Sequence, residues 1–145
     1  MDRLFVRTAE KRDIPSLKIL SEELGYPSSE KQVASRLERI IASPNDIIYV
    51  STDGNDEVTG WIHVFMALRL ESDPFAEIGG LVVKKEFRKN GIGKELVKAA
   101  EKWSLGKGIN KIRVRSRTSR TDTRRFYERE SYKVTKEQNV FQKDL

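Results

Sequence analysis

The chain of 145 residues has no cysteine and a single histidine, His63. Without cysteine there are no disulfides, no thiolate metal ligands and no cysteine nucleophile. One imidazole and no thiol leave too few of zinc's preferred ligands, so no metal site is expected. No motif supports a Ser-His-Asp triad around that histidine either. His63 stands between Ile62 and Val64 in a strand-like run, which assigns it a structural role. Nowhere does an apolar run approach the ~20 residues that cross a bilayer, so no membrane partner is expected. The first residues, Met1 to Arg7, are charged and strand-like and lack the apolar centre of a signal peptide. Those two absences, with the missing cysteines, point to a cytoplasmic protein. Repeats, linkers and low-complexity stretches are also missing, so residues 1–145 read as a single domain of ordinary size.

Charge is plentiful and unevenly spread. Residues 1–80 carry 9 Lys/Arg against 14 Asp/Glu, and residues 81–145 carry 19 against 8. The basic C-terminal part suggests an anionic partner, whether a phosphorylated cofactor, nucleic acid or a membrane surface, and the acidic N-terminal part suits a cationic substrate.

Periodicity outlines the elements. A first strand holds Leu4 and Val6. Asp13-Ile14-Pro15 looks like a helix start capped by Asp13, and Leu17, Leu20 and Leu24 form the apolar face that follows. Ser29 and Gln32 have capping-box spacing ahead of a helix with Val33, Leu37, Ile40 and Ile41 on one side. Strands are expected at 47–50, 58–70 and 75–83, with Gly79-Gly80 marking a bulge or a close backbone approach. The strongest helix runs from Gly91 to Gly106, a strand follows at 111–115, and Asp122 caps a short helix. Closing strands are expected at 132–135 and 140–143.

The informative stretch is Leu81-Val82-Val83-Lys84-Lys85-Glu86-Phe87-Arg88-Lys89-Asn90-Gly91-Ile92-Gly93-Lys94. An apolar strand enters a basic, glycine-containing loop that leads straight into an amphipathic helix. The first amides of a helix lack internal partners and its dipole favours negative charge, so this arrangement makes an anion site. It is not a nucleotide P-loop: Glu95 follows Gly93-Lys94, and Arg88 stands where the first glycine would be. It is not a dinucleotide fingerprint either, because Leu96 occupies the third glycine position.

Arg88-Lys89-Asn90-Gly91-Ile92-Gly93, after an apolar strand, resembles the acetyl-CoA signature of the GCN5-related N-acetyltransferases, Arg/Gln-x-x-Gly-x-Gly/Ala. A second segment is similar to the family's Phe-Tyr helix: Thr123-Arg124-Arg125-Phe126-Tyr127-Glu128-Arg129-Glu130-Ser131-Tyr132, with Ser131 replacing the usual glycine before the last aromatic. The resemblance implies an α/β (α+β) fold of order β-α-α-β-β-β-α-β-α-β-β. Its mixed, mostly antiparallel sheet would have about six or seven strands flanked by about four helices. The fourth and fifth of these strands would splay apart to admit the pantetheine arm of acetyl-CoA. By motif position, Leu81, Val82 and Val83 would meet that arm, and Arg88, Lys89, Asn90, Gly91, Ile92, Gly93 and Lys94 would hold the pyrophosphate.

The implied reaction is acetyl transfer to a primary amine of a small molecule or peptide, by direct attack in a ternary complex. An ammonium has no lone pair, so a base must take its proton. The acyl oxygen needs a hydrogen-bond donor and the departing thiolate a proton. Carried over from the family, Tyr127 is the proton donor and Glu77 the general base. Glu22, Glu23 and Tyr26 are candidates for the acceptor groove. Leu24-Gly25-Tyr26-Pro27, ahead of the second helix, is similar to aminoglycoside-type members. Many members are dimers, so a homodimer is open, although no residue pattern here requires one. Two other readings compete. One is an acyl-CoA-binding sensor without catalysis. The other is a nucleic-acid-binding module using Lys111, Arg113, Arg115, Arg117, Arg120, Arg124 and Arg125, which no complete recognition motif accompanies.

Overall fold

A computed structural model describes residues 3–145. Strand β1 (Phe5–Thr8) leads to helices α1 (Ile14–Glu23) and α2 (Glu30–Ala42), then to a meander of β2 (Asp46–Thr52), β3 (Val58–Arg69) and β4 (Ser72–Val83). Helix α3 (Ile92–Gly106), strand β5 (Ile112–Val114) and helix α4 (Thr121–Arg129) follow. The chain divides into two compact units, one up to Val114 and one from Arg115 to Leu145.

The first unit is built on a five-stranded sheet in the order β1-β2-β3-β4-β5. Neighbours are antiparallel except β4 and β5, which run parallel. Helices α1 and α2 cover one face, where Leu17, Leu20, Val33 and Leu37 pack with Val50 and Val82. Helix α3 packs against β2, β3 and β4; its buried positions are Ile92, Leu96, Val97, Ala100 and Ser104. Each aliphatic side chain removed from water in these layers stabilises the fold by about 1.5–3 kcal/mol.

Local chemistry explains the helix starts. Ser29 and Gln32 form the expected reciprocal capping box: the Gln32 amide donates to Ser29 Oγ at 3.1 Å, and the Ser29 amide donates to Gln32 Oε1 at 2.9 Å. Asp13 immediately precedes α1, but its carboxylate makes no cap bond to that helix. It accepts instead from the Arg7 guanidinium and the Glu10 amide. Asp122 is likewise not a cap. It lies in the first turn of α4, whose preceding residue is Arg120.

The mixed, mostly antiparallel architecture matches the expected class, with fewer strands. The segments 132–135 and 140–143 form no strand. Alternation equips a segment for a sheet, but a strand exists only where a neighbour accepts its backbone hydrogen bonds. These residues have no ladder among the described residues, and Val140 and Phe141 stand exposed. The helix bearing Phe126 and Tyr127 is present as expected.

Candidate active site

Strand β4 organises the site. It pairs with β3 along its length, but the register slips between His63 and Val64: His63 faces Gly80, Val64 faces Ile78, and Gly79 is the extra residue of a β-bulge. On its other side β4 pairs with β5 only at Ala76, Glu77 and Ile78. From Gly80 to Val83, β3 is the single strand among the described residues that pairs with β4. The pairing of the two parallel strands therefore ends at Ile78 and Val114, just before the bulge, and the β4 residues beyond it include Leu81, Val82 and Val83. Val82 is buried in the core against α1 and α2, whereas Leu81 and Val83 are half-buried.

Both glycines of the bulge are set against β3 side chains. A Cβ on Gly80 would lie 2.8 Å from the Trp61 ring, and a Cβ on Gly79 would lie 3.0 Å from His63 Nδ1. Trp61, His63 and Phe65 thus line the β3 side of the bulge, while Ile62 and Val64 between them are fully buried. Leu24, at the end of α1, reaches within 3.9 Å of the same Gly80 position. The end of α1 therefore borders the bulge, bringing Glu22, Glu23 and Tyr26 to this side of the unit. All three are exposed, and Glu22 accepts an ion pair from Lys18 at 2.6 Å.

Glu77 is half-buried one turn of the pleat before the bulge, opposite Phe65 on β3 and Arg113 on β5. The Arg113 guanidinium stacks over the buried Phe75 ring at 4.0 Å from its centre. A cation on a ring face in this geometry gains about 0.5–2 kcal/mol.

After Val83 the chain makes a 3-10 turn over Lys85–Phe87 and closes a tight loop into α3. Arg88 does not extend freely, since its Nε donates to Val83 O at 3.0 Å. The Asn90 amide group donates to Phe87 O at 3.1 Å. Lys89 takes φ +66° and Gly91 φ +80°, both left-handed. Nothing lies within 4 Å of a Cβ built on Gly91, so the backbone angle, and not lack of space, calls for glycine there. Gly91 precedes α3 and offers no side-chain cap to its first amides. Lys85, Arg88, Lys89 and Lys94 are exposed around them. Lys84 instead binds Glu57 at 3.0 Å, and that bond raises its pKa. Loop, helix start and positive charge together suit an anion, as the sequence motif requires.

In the second unit Tyr127 is buried, with Phe126 and Tyr132 packed edge-on at centroid distances of 5.0 and 5.4 Å. Burial pushes its phenol pKa far up, so the hydroxyl stays protonated at neutral pH. Ser131, which replaces the glycine of the motif, adopts φ +70°, a left-handed angle. The helix end still closes, with the Tyr132 amide donating to Tyr127 O at 2.9 Å.

One pairing was not foreseen. His63 Nε2 lies 2.8 Å from Asp46 Oδ1, and Asp46 Oδ2 accepts from Ser43 Oγ at 2.7 Å. In the sequence Ser43 to Asp46 is only a turn, and no spacing rule links it to a histidine on the next strand. Among the described residues no three His, Cys, Asp or Glu side chains gather as a metal site.

The Acetyltransferase (GNAT) family model matches residues 15–131, and the chain belongs to that family. No curated protein sequence matches the chain. Solved structures share its fold at low identity. The aminoglycoside antibiotic 6'-N-acetyltransferase AAC(6')-Ih from Acinetobacter baumannii superposes with TM-score 0.88 at 14% identity, over 99% of each chain. Aminoglycoside N-acetyltransferase AAC(6')-Iy in complex with CoA gives 0.88 at 15%, over 100% of this chain and 97% of the other. Glucosamine-6-phosphate N-acetyltransferase from Arabidopsis thaliana gives 0.85 at 17%, over 99% and 100%. No helix among the described residues is long and apolar enough to cross a membrane.

Proposed function

We propose that residues 1–145 act as one N-acetyltransferase domain that transfers the acetyl group of acetyl-CoA to a primary amine of a small molecule or peptide. The observation that carries this reading is the end of the β4–β5 ladder at Ile78, beside the Gly79 bulge, with β4 running on into a basic loop and the start of α3. A strand edge without a neighbour has amides and carbonyls to offer an extended amide-bearing chain such as pantetheine. The amides at the start of α3, with Arg88, Lys89, Asn90, Gly91, Ile92, Gly93 and Lys94, suit a pyrophosphate.

Family and fold support the chemistry, and residue properties support the roles. Tyr127, buried and held protonated, is the proton donor to the departing thiolate. Glu77, the general base that the family resemblance implies, stands on β4 just before the bulge, where its carboxylate also draws the ammonium group of the acceptor. The exposed Glu22 and Glu23, with Tyr26 beside them, extend the acidic character of the acceptor side. Aminosugars are the first acceptors to try, because structural neighbours are named for aminoglycosides and for glucosamine 6-phosphate. No nucleic acid or membrane takes part in this reading, and a homodimer is compatible with it. Isothermal titration with acetyl-CoA, CoA and ATP tests the cosubstrate, and thiol release with an amine panel tests the transfer. Acetyl-CoA and CoA should bind selectively and ATP should not. Absence of CoA binding would overturn the reading.

A further inference from the structure

We propose that His63 is the catalytic base of this site, with Asp46 and Ser43 as its positioning residues. The proposal rests on the acetyltransferase reading above and assigns its proton acceptor. An ionised carboxylate can only accept a hydrogen bond, so the 2.8 Å contact with Asp46 Oδ1 puts the imidazole proton on Nε2. Nδ1 of the neutral ring then carries the lone pair. That atom faces Gly79, the bulged residue just past the end of the β4–β5 ladder, and a methyl group at Gly79 would come within 3.0 Å of it. Gly79 is exposed and His63 half-buried, so the lone pair borders an accessible surface. Ser43 Oγ, at 2.7 Å from Asp46 Oδ2, fixes the carboxylate from the turn after α2. The Phe65 ring, 5.6 Å from the imidazole, holds the ring from the side. Nε2 is tied to a carboxylate, and Nδ1 looks onto a residue without a side chain.

The charged groups that neighbouring elements bring to this face are Asp46 from β2, Glu77 from β4, and Arg113 from β5 opposite Glu77. The end of α1, packed on β3 and β4, adds Glu22 and Glu23. An imidazole is intrinsically a stronger base than a carboxylate and is better matched to an ammonium. Glu77 then attracts the amine and His63 takes its proton. An N–H bond of the ammonium breaks as an Nδ1–H bond forms, and the imidazolium is balanced by Asp46. The freed lone pair forms the N–C bond to the acyl carbon while the C–S bond breaks. The thiolate takes the proton of Tyr127, a second N–H bond of the acylated nitrogen breaks and its proton restores the phenol through solvent, and the proton on His63 passes to solvent.

Because His63 is the sole histidine, its ring signals need no assignment. In 15N-histidine-labelled protein, Nε2 should be the protonated nitrogen, and acetyl-CoA should shift the Nδ1 resonance. His63→Gln keeps a donor for Asp46 but no base. It should lower kcat/KM by about a hundredfold or more and abolish the acidic limb of its pH profile, with acetyl-CoA affinity and unfolding midpoint unchanged. Added imidazole should restore part of the turnover of His63→Ala. If acetyl-CoA binds and wild type turns over, three results overturn the role of His63: an unmoved Nδ1 signal, a limb that survives His63→Gln, or a limb that disappears only in Glu77→Gln. Failure of wild type to bind CoA removes the acetyltransferase reading itself, and this proposal falls with it.

Discussion

Arg7 meets Asp13 with two parallel hydrogen bonds, Nη1 to Oδ2 at 2.7 Å and Nη2 to Oδ1 at 2.8 Å. Asp13 is only 4% exposed, so the pair joins β1 to the turn before α1 inside the protein. Removing Asp13 takes both of these bonds from Arg7, which keeps its contact with Asp56 at 3.1 Å, and takes the acceptor of the Glu10 amide. Asp13→Ala should cost about 2 kcal/mol in urea unfolding, and a change under about 0.5 kcal/mol would reject that role.

The same pair makes stability depend on acid. Burial pushes the Asp13 pKa up, but the bonds from Arg7 and the Glu10 amide outweigh it and the net shift is downward. A carboxyl with a depressed folded pKa binds fewer protons folded than unfolded, so its stabilisation is full above the unfolded value and fades as pH falls through the folded one. Below about pH 4 wild type should lose stability more steeply than Asp13→Asn. Parallel slopes for the two proteins would contradict this.

Tyr127 carries the opposite dependence. Its raised phenol pKa means the folded state keeps a proton that the unfolded state releases, so stability falls as pH rises beyond about 10. Tyr127→Phe should flatten that alkaline loss. In the catalytic reading, it should also lower kcat with little change in acetyl-CoA affinity. Unaltered turnover, with chemistry rate-limiting, would remove the proton-donor role.

Ser131 occupies a left-handed position at φ +70°. Ser131→Gly should stabilise the protein by about 1 kcal/mol, since an L-residue is strained there. Gly91→Ala, at φ +80° with open space around it, should cost a similar amount and weaken CoA binding. Thermal unfolding and titration calorimetry measure both.

Gly80→Ala would push a methyl to 2.8 Å from the Trp61 ring, a packed side chain with little room to retreat. A loss of about 1–3 kcal/mol in unfolding free energy is expected, together with weaker CoA binding. A fully stable variant would mean that the bulge adapts.

Much of this protein follows from its sequence alone. The capping box at Ser29 and Gln32 formed as its spacing demands, because a cap needs only residues three apart. The strand–loop–helix from Leu81 to Lys94 is equally local: its glycine, its basic residues and the helix they introduce are neighbours in the chain. Two motifs, at 88–93 and 123–132, were enough to suggest the family, which the match over residues 15–131 bears out. Tertiary structure decided what depends on partners far along the chain. Asp13 looked like a helix cap and became the acceptor of Arg7, since a bidentate guanidinium is the stronger partner for a buried carboxylate. The alternating segments near the C-terminus found no ladder and formed no strand. Gly79-Gly80 announced a bulge in sequence, but only the register of β3 against β4 sets His63 beside it, and only the turn before β2 sets Asp46 on the far side of that ring. Local backbone chemistry depends on the next few residues and is written in their order. Pairings across strands depend on how the sheet closes, and those the sequence leaves to the fold.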